Sequence, residues 1–398
     1  METDPPKSAE APFDVAIVGA GFAGAALCAT LARRGCRVAL CDPHDIHPAD
    51  FRAEKLSPDQ ADSLQRLGLA APLLRAATAV GALRIARRGA IVDERPVREY
   101  SLDYALMVET LRGEVSEPCW LRRRVDNVEP VGDRQRVSLS DGSSIEARLV
   151  VLATGHGRAL RKTLGVERVM AAAQHSLAIG FDMTLEGPRG PSLTYHSERV
   201  ADRCGYLTLF PIGDRMRANL FVYRRPDDDW SRAFRAHPRE SLLALMPGLG
   251  KMLPPFTIPS APVLRPIDLT ACAAPVRDGL VLIGDAFFTT CPAGGGGIGK
   301  ALTDVERLAA LAPQWLAEGG AIGADRIAQF YDDPVKRASD RRARWASHYS
   351  KAISIDPSLA WSLRRARNFH GLRLRCWLRR TFGGAPSAAL ASKPQPFM

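Results

Sequence analysis

The first hydrophobic pattern of the chain lies near its N-terminus and has three parts. Residues 13–18 (FDVAIV) form a short apolar run, residues 25–32 (AALCATLA) are small and mostly apolar and lead through two arginines to Gly35, and residues 38–41 are apolar again. A run with β-branched residues predicts a buried strand, whereas small apolar residues with a basic, glycine-terminated end predict a helix. The order therefore predicts a parallel strand–helix–strand unit of an α/β fold.

The middle of the chain has the two-residue period of β-strands. Residues 135–139 and 145–153 predict a hairpin that leads into an apolar strand. Residues 176–223 contain four segments in which apolar and polar side chains alternate. Alternation of this kind is typical of an antiparallel sheet with one buried face. We therefore expect a sheet inserted between parts of the first domain.

Helical patterns return after this sheet. Residues 230–245 predict a helix, and residues 279–283 (GLVLI) predict another buried strand. From Gly299 to about Leu316 a further helix is predicted, because four apolar residues share one of its faces: Leu302, Val305, Leu308 and Leu311.

The order of these elements predicts the fold class and the domains. We expect an α/β fold, in which a Rossmann-like nucleotide-binding domain carries an inserted antiparallel β-sheet substrate domain and is followed by a helical C-terminal segment. The predicted boundaries are residues 1–82, 100–175 and 266–330 for the nucleotide-binding domain, 83–99 and 176–265 for the substrate domain, and 331–398 for the basic C-terminal segment.

Composition narrows the class of protein. The chain has 398 residues, of which 46% are hydrophobic, as is ordinary for a globular protein of about two domains. No apolar run reaches the roughly 18 residues of a membrane span, and the first residues (METDPPKSAEAP) lack the apolar core of a signal peptide. The eight cysteines show no metal-ligand spacing. We therefore expect a cytoplasmic protein with reduced thiols and no metal site.

The net charge of +11 has a local origin. Residues 336–380 contain 13 Lys or Arg residues and only two acids, and the rest of the chain is neutral overall. Three interpretations are open: a solvated helical cover, a surface for an anionic membrane, or a surface for an acidic partner such as a carrier protein. Gly371 interrupts the predicted helix, and its apolar residues do not follow one stripe. Nucleic acid is not expected, because no recognition module accompanies the charge.

A first glycine motif follows the first predicted strand. Gly19, Gly21 and Gly24 form a GxGxxG pattern that opens the predicted helix, and Asp42 follows the second strand. In such a motif the first glycine allows a tight turn, the second lets a pyrophosphate approach the backbone, and the third lets the helix pack on the strand. An acid at the end of the second strand accepts hydrogen bonds from the adenosine ribose. The motif therefore predicts a dinucleotide site for NAD or FAD rather than NADP.

A second glycine motif lies near the other end of the chain. The predicted strand at 279–283 leads into Gly284-Asp285, and the glycine run 294–297 opens the next helix. Asp285 could accept a hydrogen bond from a ribityl hydroxyl, and backbone N–H groups at a helix N-terminus would stabilise negative charge on a reduced flavin. The two motifs together predict one long cofactor held at both ends.

These motifs resemble those of the class A flavoprotein monooxygenases, the family of para-hydroxybenzoate hydroxylase and of the ubiquinone-biosynthesis hydroxylases. The late motif of that family has the form GDAAHxxxPxxGxGxNxGxxDA, and residues 284–304 follow it without gaps. The resemblance extends over about residues 13–315, and it makes the first domain an FAD-binding domain. It also implies that Arg52 contacts the FAD pyrophosphate and that Pro292 borders the flavin.

The resemblance and the two motifs together predict a set of cofactor-binding residues. The departures from the family include Thr154 in place of an Asp, Phe288 in place of a His, Gly299 in place of an Asn, and Ala301 in place of a Gly. The family's Asp takes part in binding FAD and NAD(P)H, so both NAD(P)H and a separate flavin reductase are open as the electron donor. The predicted cofactor-binding residues are Gly19, Gly21, Phe22, Ala23, Gly24, Asp42, Arg52, Thr154, Gly155, Gly284, Asp285, Pro292, Gly295, Gly296, Gly297 and Ile298.

The resemblance implies a flavin-centred reaction. It predicts an FAD-dependent monooxygenase that hydroxylates an aromatic or polyketide-like small molecule through a flavin C4a-hydroperoxide, without a side-chain nucleophile. The substrate pocket should lie between the inserted sheet and the flavin, with Tyr195, His196, Phe210 and Phe288 as candidates.

Two other functions remain open. The same fold could serve a dehydrogenase or double-bond reductase that does not oxygenate, or a flavin-binding protein without oxygenation. A flavin halogenase is less favoured, because the chain contains no GWxWxIP stretch.

Overall fold

A computed structural model describes residues 12–382 of the chain, except residues 49 and 53. Within these residues the strands are β1 (Phe13–Val18), β2 (Val38–Cys41), β3 (Lys55–Leu56), β4 (Thr78–Arg87), β5 (Ala90–Ser101), β6 (Trp120–Leu121), β7 (Val125–Val131), β8 (Arg134–Leu139), β9 (Ser144–Leu152), β10 (Arg168–Leu185), β11 (Ser192–His196), β12 (Cys204–Ile212), β13 (Arg215–Val222), β14 (Phe256–Thr257), β15 (Val263–Cys272) and β16 (Leu280–Leu282). The α-helices are α1 (Phe22–Arg33), α2 (Pro58–Arg66), α3 (Ala70–Ala76), α4 (Tyr104–Arg112), α5 (Ala159–Thr163), α6 (Asp229–Ala236), α7 (Pro238–Leu245), α8 (Gly297–Ala317), α9 (Ala324–Asp332), α10 (Pro334–Ile355) and α11 (Leu359–Phe382).

The first sheet is the predicted Rossmann-like layer. Its strand order is β6-β2-β1-β9-β8-β7, and β16 also pairs with β9. Strand β1 lies between two parallel neighbours, since Val15 is in register with Val38 on one side and with Leu149 on the other. Helices α1 and α8 contribute to the core on this sheet, which explains why most of β1, the end of β9 (residues 149–152) and β16 are apolar.

Parallel pairing brings three strand ends to one edge of this sheet. Strands β1, β9 and β16 run in the same direction, and they end at Val18, Leu152 and Leu282. The loops that follow them therefore gather outside one edge, where open α/β sheets bind their ligands.

The second sheet is the predicted inserted sheet, and it is mostly antiparallel. Its strand order is β14-β10-β13-β12-β11-β4-β5-β3, with β15 on β10, and only β11 and β4 pair in parallel. The sequence predicts two segments for this sheet, residues 83–99 and 176–265. In the structure β4 begins at Thr78, β10 begins at Arg168, and β15 ends at Cys272, so the strands extend beyond both segments. With the first sheet and the C-terminal helices, this sheet confirms the predicted fold class.

Helix bounds differ from the sequence prediction at three places. The helix predicted at residues 230–245 is two helices, which separate at His237 because Pro238 disfavours a helical residue before it. Helix α8 begins two residues earlier than predicted, at Gly297. The interruption predicted at Gly371 is wrong: α11 runs through it, since one glycine costs a helix only about 1 kcal/mol and α11 packs on β5 and α10.

A transmembrane helix is not found in the described part of the chain. None of its helices combines the length and the apolar content that crossing a bilayer requires.

Candidate functional site

One large cleft lies between the two sheets. The loops after β1, β9 and β16 line one part of it, and one face of the second sheet lines the other. Its volume is about 930 Å³, near the upper end of the range of roughly 300–1,000 Å³ for ligand sites.

The first glycine motif forms a tight turn against the loop that follows β9. Gly19 has φ = +103°, and a Cβ atom on it would lie 2.7 Å from the carbonyl oxygen of Ala153. A Cβ atom on Gly24 would lie 1.9 Å from the carbonyl oxygen of Gly19. Nothing lies within 4 Å of the corresponding point at Gly21, which lines the cleft. The backbone is therefore exposed to a ligand at Gly21 and closely packed at Gly19 and Gly24.

Asp42 is held beside this turn. Its Oδ2 atom accepts a hydrogen bond from the N–H of Ala20 at 2.8 Å, and its Oδ1 atom accepts one from the N–H of His44 at 2.9 Å. Both bonds orient the carboxylate at the wall of the cleft, where the sequence predicts the ribose.

The four consecutive glycines serve two different contacts. Gly295, with φ = +64°, and Gly297 line the cleft. A Cβ atom on Gly294 would lie 3.1 Å from the carbonyl carbon of Ala346 on α10, and one on Gly296 would lie 3.3 Å from the Cβ of Ala343. Gly296, a predicted cofactor residue, therefore does not line the cleft, and together with Gly294 it permits the close approach of α10.

Two helix N-termini open onto the cleft. Helix α1 begins at Phe22 and helix α8 at Gly297, and both residues line the cleft. Neither helix has a side-chain cap or an acidic residue in its first turn. Their first N–H groups and the positive ends of their dipoles are thus available to negatively charged or acceptor groups of a ligand.

A buried ion cluster holds the Gly284-Asp285 turn. The N–H of Gly284 donates to Oδ2 of Asp304 at 2.8 Å, and its carbonyl accepts from Nζ of Lys300, also at 2.8 Å. Lys336 donates to the other oxygen of Asp304 at 2.6 Å. Burial would raise the pKa of Asp304, but the charges of Lys300 and Lys336 hold it below its usual range. The sequence analysis did not predict this role for Asp304. The match of Asp304 to the Asp of the late motif could have indicated it.

Asp285 lies between two basic side chains. Its Oδ2 atom is 2.9 Å from Nη1 of Arg52 and 3.4 Å from Nε2 of His156. Burial opposes ionisation of Asp285, but the hydrogen bond and charge of His156 and the charge of Arg52 hold its pKa well below the usual range. Arg52 also donates to Asp50 at 2.6 Å. Three distant segments of the chain thus meet at one ionised carboxylate.

A buried hydroxyl without a partner lies in the same part of the cleft. Thr154 follows β9, lines the cleft, and its Oγ1 atom has no hydrogen-bond partner among the described residues. With the exposed backbone at Gly21 and the two uncapped helix ends, this arrangement fits a long ligand with phosphates and further polar groups. The residues present therefore suit FAD.

Most of the predicted cofactor residues meet at this cleft. Gly24 and Gly296 do not line it, for the packing reasons given above. Those that line it are Gly19, Gly21, Phe22, Ala23, Asp42, Arg52, Thr154, Gly155, Gly284, Asp285, Pro292, Gly295, Gly297 and Ile298.

The second sheet contributes a row of polar side chains to the cleft. Thr194 of β11 is in register with Thr208 of β12, which is in register with Asn219 of β13. All three line the cleft, and the buried Oδ1 atom of Asn219 has no partner among the described residues. We call these three residues the polar row. The sequence analysis did not predict the polar row. The strand period could have indicated two of its members, because Thr194 lies two residues before His196 and Thr208 two residues before Phe210, and such residues share a face of the sheet.

The four predicted pocket candidates divide into two pairs. His196 and Phe210 line the cleft, and burial lowers the pKa of His196 to about 4, with a further contribution from Arg87. Neither ring nitrogen of His196 forms a hydrogen bond with a described residue. Burial therefore keeps the imidazole neutral at pH 7, able to exchange hydrogen bonds with a ligand.

Tyr195 and Phe288 lie outside the cleft, contrary to the prediction. Adjacent residues of a strand point to opposite faces, so Tyr195 lies behind the sheet, where its hydroxyl donates to Glu198 at 2.6 Å and accepts from the N–H of Gly89 at 2.9 Å. Phe288 is buried in the core of the first sheet, with Nζ of Lys300 4.2 Å from its ring centre.

Comparisons with known proteins agree with this geometry. The family model described as "FAD binding domain" matches residues 12–318. The p-nitrophenol 4-monooxygenase PnpA from Pseudomonas putida DLL-E4 is 17% identical, with 91% of this chain and 93% of that chain covered and a TM-score of 0.72. The structure of pqsL from Pseudomonas aeruginosa, a probable FAD-dependent monooxygenase, is 21% identical, with 91% of this chain and 99% of that chain covered and a TM-score of 0.66.

A third solved structure is a variant of the halogenase PltM in complex with FAD. It is 16% identical, with 97% of this chain and 87% of that chain covered and a TM-score of 0.69. At these identities the three structures establish a common fold.

Proposed function

The chain belongs to the family of the FAD binding domain, and from this premise we propose that it is an FAD-dependent monooxygenase that hydroxylates an aromatic or polyketide-like small molecule. The observation that carries the proposal is that one continuous cleft joins a dinucleotide-type site on the first sheet to a partly polar, partly aromatic wall on the second. FAD and substrate would thus lie side by side in one space.

The chain's own residues would hold FAD along the first sheet. Asp42 would accept from the adenosine ribose, the N-terminus of α1 and Arg52 would meet the phosphates, and Asp285 would accept from the ribityl chain. Gly295, Gly297 and the N-terminus of α8 would face the polar edge of the flavin ring. Bound FAD would supply electron transfer and the activation of O2.

The second sheet would position the substrate. The polar row offers hydroxyl and amide groups, and the unpartnered oxygen of Asn219 favours a substrate that carries an O–H or N–H group. Phe210, Tyr206 and Phe221 add aromatic surface on the same wall. We therefore propose a hydroxyl- or amino-bearing aromatic compound as the preferred substrate.

The names of two similar solved structures support hydroxylation of an aromatic compound. PnpA is named for an aromatic substrate, p-nitrophenol, and another neighbour for 2-methyl-3-hydroxypyridine-5-carboxylic acid. PltM is a halogenase on the same fold, but this chain has no GWxWxIP stretch. An oxidoreductase that does not oxygenate is the alternative, and no feature of the cleft favours it over hydroxylation.

The electron donor and the partners belong to the same proposal. Because Thr154 replaces the family's Asp, we keep NAD(P)H and a separate flavin reductase as alternative donors. We also keep the cytoplasmic location and propose that the basic residues between 336 and 380 meet an anionic partner, either a membrane surface or an acidic carrier protein.

The experiment is a spectrum followed by turnover. The purified chain is expected to be yellow or to become so with added FAD. With NADH, NADPH or a flavin reductase, and a panel of phenols and anilines, it should consume O2 and transfer oxygen from isotopically labelled O2 to the product.

Three outcomes would contradict the proposal. A chain that cannot bind FAD would refute it entirely. Flavin reduction without oxygen transfer to any compound would favour a reductase or dehydrogenase, and a product that forms only with chloride or bromide would identify a halogenase.

A further inference from the structure

Helix α11 carries apolar side chains on two opposite faces. On the inner face, Leu372 is buried and lines the cleft, and the ring of Phe369 lies 5.3 Å from that of His196. On the outer face five large apolar side chains are between 41% and 74% exposed: Leu359, Leu363, Leu374, Trp377 and Leu378. The sequence prediction found no single stripe because it could not separate these two faces.

The outer side chains form one row along the helix. Leu359 and Leu363 are four residues apart, Leu374 follows eleven residues later, and Trp377 and Leu378 follow after three and four more. At 3.6 residues per turn, these spacings fall on one side. The helix has 24 residues and is about 36 Å long, so the row extends over most of its length. We call these five residues the outer row.

Exposed arginines border the outer row. Arg367, Arg373 and Arg375 are exposed, and no described carboxylate forms an ion pair with any of them. The inner arginines are used differently, because Arg365 donates to the carbonyl of Asp356 at 2.8 Å and Arg379 pairs with Asp93. Charge that packing does not require is therefore concentrated on the outward side.

The chemistry of this face selects one occupant. We propose that α11 docks the protein onto an anionic membrane surface, with the helix lying in the plane of the interface. A helix of this kind buries its apolar side at the acyl boundary while flanking arginines contact anionic headgroups. An acidic protein would match the charge but would have to supply a matching apolar groove as well. The helix is not suited to crossing the bilayer.

Docking would place the cleft next to the membrane. The inner face of α11 forms part of the cleft wall through Leu372, while the outer row faces away from the protein. A lipophilic substrate would thus meet the protein where the helix contacts the bilayer. The docking selects the membrane from the two anionic partners proposed above, and it does not depend on the proposed hydroxylation.

The test is flotation of the full-length purified protein with lipid vesicles. Vesicles of phosphatidylcholine with phosphatidylglycerol should bind the protein, vesicles of phosphatidylcholine alone should not, and added salt should weaken binding. Replacing Arg367 and Arg373 by Gln should lower the affinity about tenfold or more, and the double variant Leu363→Glu with Leu374→Glu should abolish binding.

A matched control shows whether loss of binding comes from the change on α11, from the added negative charge alone, or from misfolding. Val335→Glu places an acid at another exposed apolar residue, at the start of α10, and should bind vesicles nearly as well as the unaltered chain. Circular dichroism and the thermal midpoint should be the same for all variants.

Four results would overturn the proposal. The first is no binding to anionic vesicles, and the second is binding that the α11 variants leave unchanged. The third is binding only after residues 383–398 are deleted, which would make that segment the occupant. The fourth is self-association, or binding to an acidic polypeptide instead of vesicles, that the Leu363→Glu, Leu374→Glu variant abolishes.

Discussion

At the scale of single residues, the carboxylate of Asp285 is the point where distant parts of the chain meet. Arg52 is 233 positions away in the sequence and 2.9 Å away in space, and His156 approaches from the loop after β9. The charges of both partners keep Asp285 ionised, so that it can only accept hydrogen bonds. A ligand hydroxyl is the matching donor.

Asp285→Asn should therefore weaken FAD binding. A hydrogen bond to a charged group contributes about 1.5–3 kcal/mol, so the dissociation constant for FAD should rise about 10- to 100-fold. Flavin fluorescence titration of the FAD-free protein measures it. Asp62→Asn, which removes a surface ion pair with Arg98, is the control, and an unchanged constant for Asp285→Asn would argue against the proposed role.

A second prediction concerns the oxygen of Asn219 that has no partner. Asn219→Leu removes an unsatisfied buried acceptor and keeps the branched shape of the side chain, so the free energy of unfolding should stay equal or rise. Binding of a phenol should weaken about tenfold or more, whereas an analogue without the hydroxyl group should bind as well as before. Equal losses for both ligands would show that Asn219 acts through the shape of the cleft.

At the scale of elements, the glycine run is shared between α8 and α10. Alternate glycines face different neighbours, because Gly295 and Gly297 line the cleft while Gly294 and Gly296 contact α10. One short segment therefore lines the proposed FAD site and also packs against a helix. The sequence could not show this division, because nothing local to the glycines indicates that Ala343 and Ala346 approach them.

Two substitutions in this run should have separable effects. Gly294→Val drives a side chain into the backbone of α10 and should lower the unfolding free energy of the FAD-free protein by about 1–3 kcal/mol. At Gly297 the nearest atom to a new Cβ is 3.6 Å away, so Gly297→Val should unfold near the temperature of the unaltered chain but bind FAD poorly. Thermal unfolding and FAD titration of both variants decide this, and identical behaviour would contradict the division.

At the scale of the whole molecule, two buried histidines lie where the C-terminal helices cover the second sheet. His175 contacts His348 of α10 and Tyr223, which directly follows β13, and His196 contacts Phe369 of α11. Burial lowers the pKa of each to about 4, with further contributions from Lys351 and His348 at His175 and from Arg87 at His196. Acid should therefore destabilise the packing of these helices.

The sign of this pH dependence follows from proton binding. Between pH 6.5 and about 4 the unfolded chain binds more protons at these histidines than the folded chain, so the stability they contribute is present above pH 6.5 and is lost as the pH falls. Each histidine accounts for at most about 3 kcal/mol.

The double variant His175→Asn with His196→Asn tests this. Denaturant unfolding at pH 7 and pH 5 should show a smaller loss of stability than in the unaltered chain, whereas His370→Asn on the exposed side of α11 should behave like the unaltered chain. An acid-induced loss of the same size in the double variant would mean that other groups carry it.

The sequence by itself determined the local elements and the chemistry of the cofactor end. The strand at 13–18, the turn at Gly19 and the acid at 42 each leave a signal in the residue types and the period of a short stretch of sequence, and this signal can be interpreted without knowledge of their distant partners. The same reasoning identified the second glycine motif and its opening of a helix.

Only the tertiary structure decided which faces meet. It paired Arg52 with Asp285, turned His196 towards the cleft and Tyr195 away from it, aligned the polar row across three strands, and separated the inner face of α11 from its outer row. These outcomes depend on strand order, register and helix packing between segments far apart in the chain. A local pattern shows which residues share a face of a strand or helix. It does not show which distant segment packs on that face, because this is decided by strand register and by burial between segments far apart in the chain.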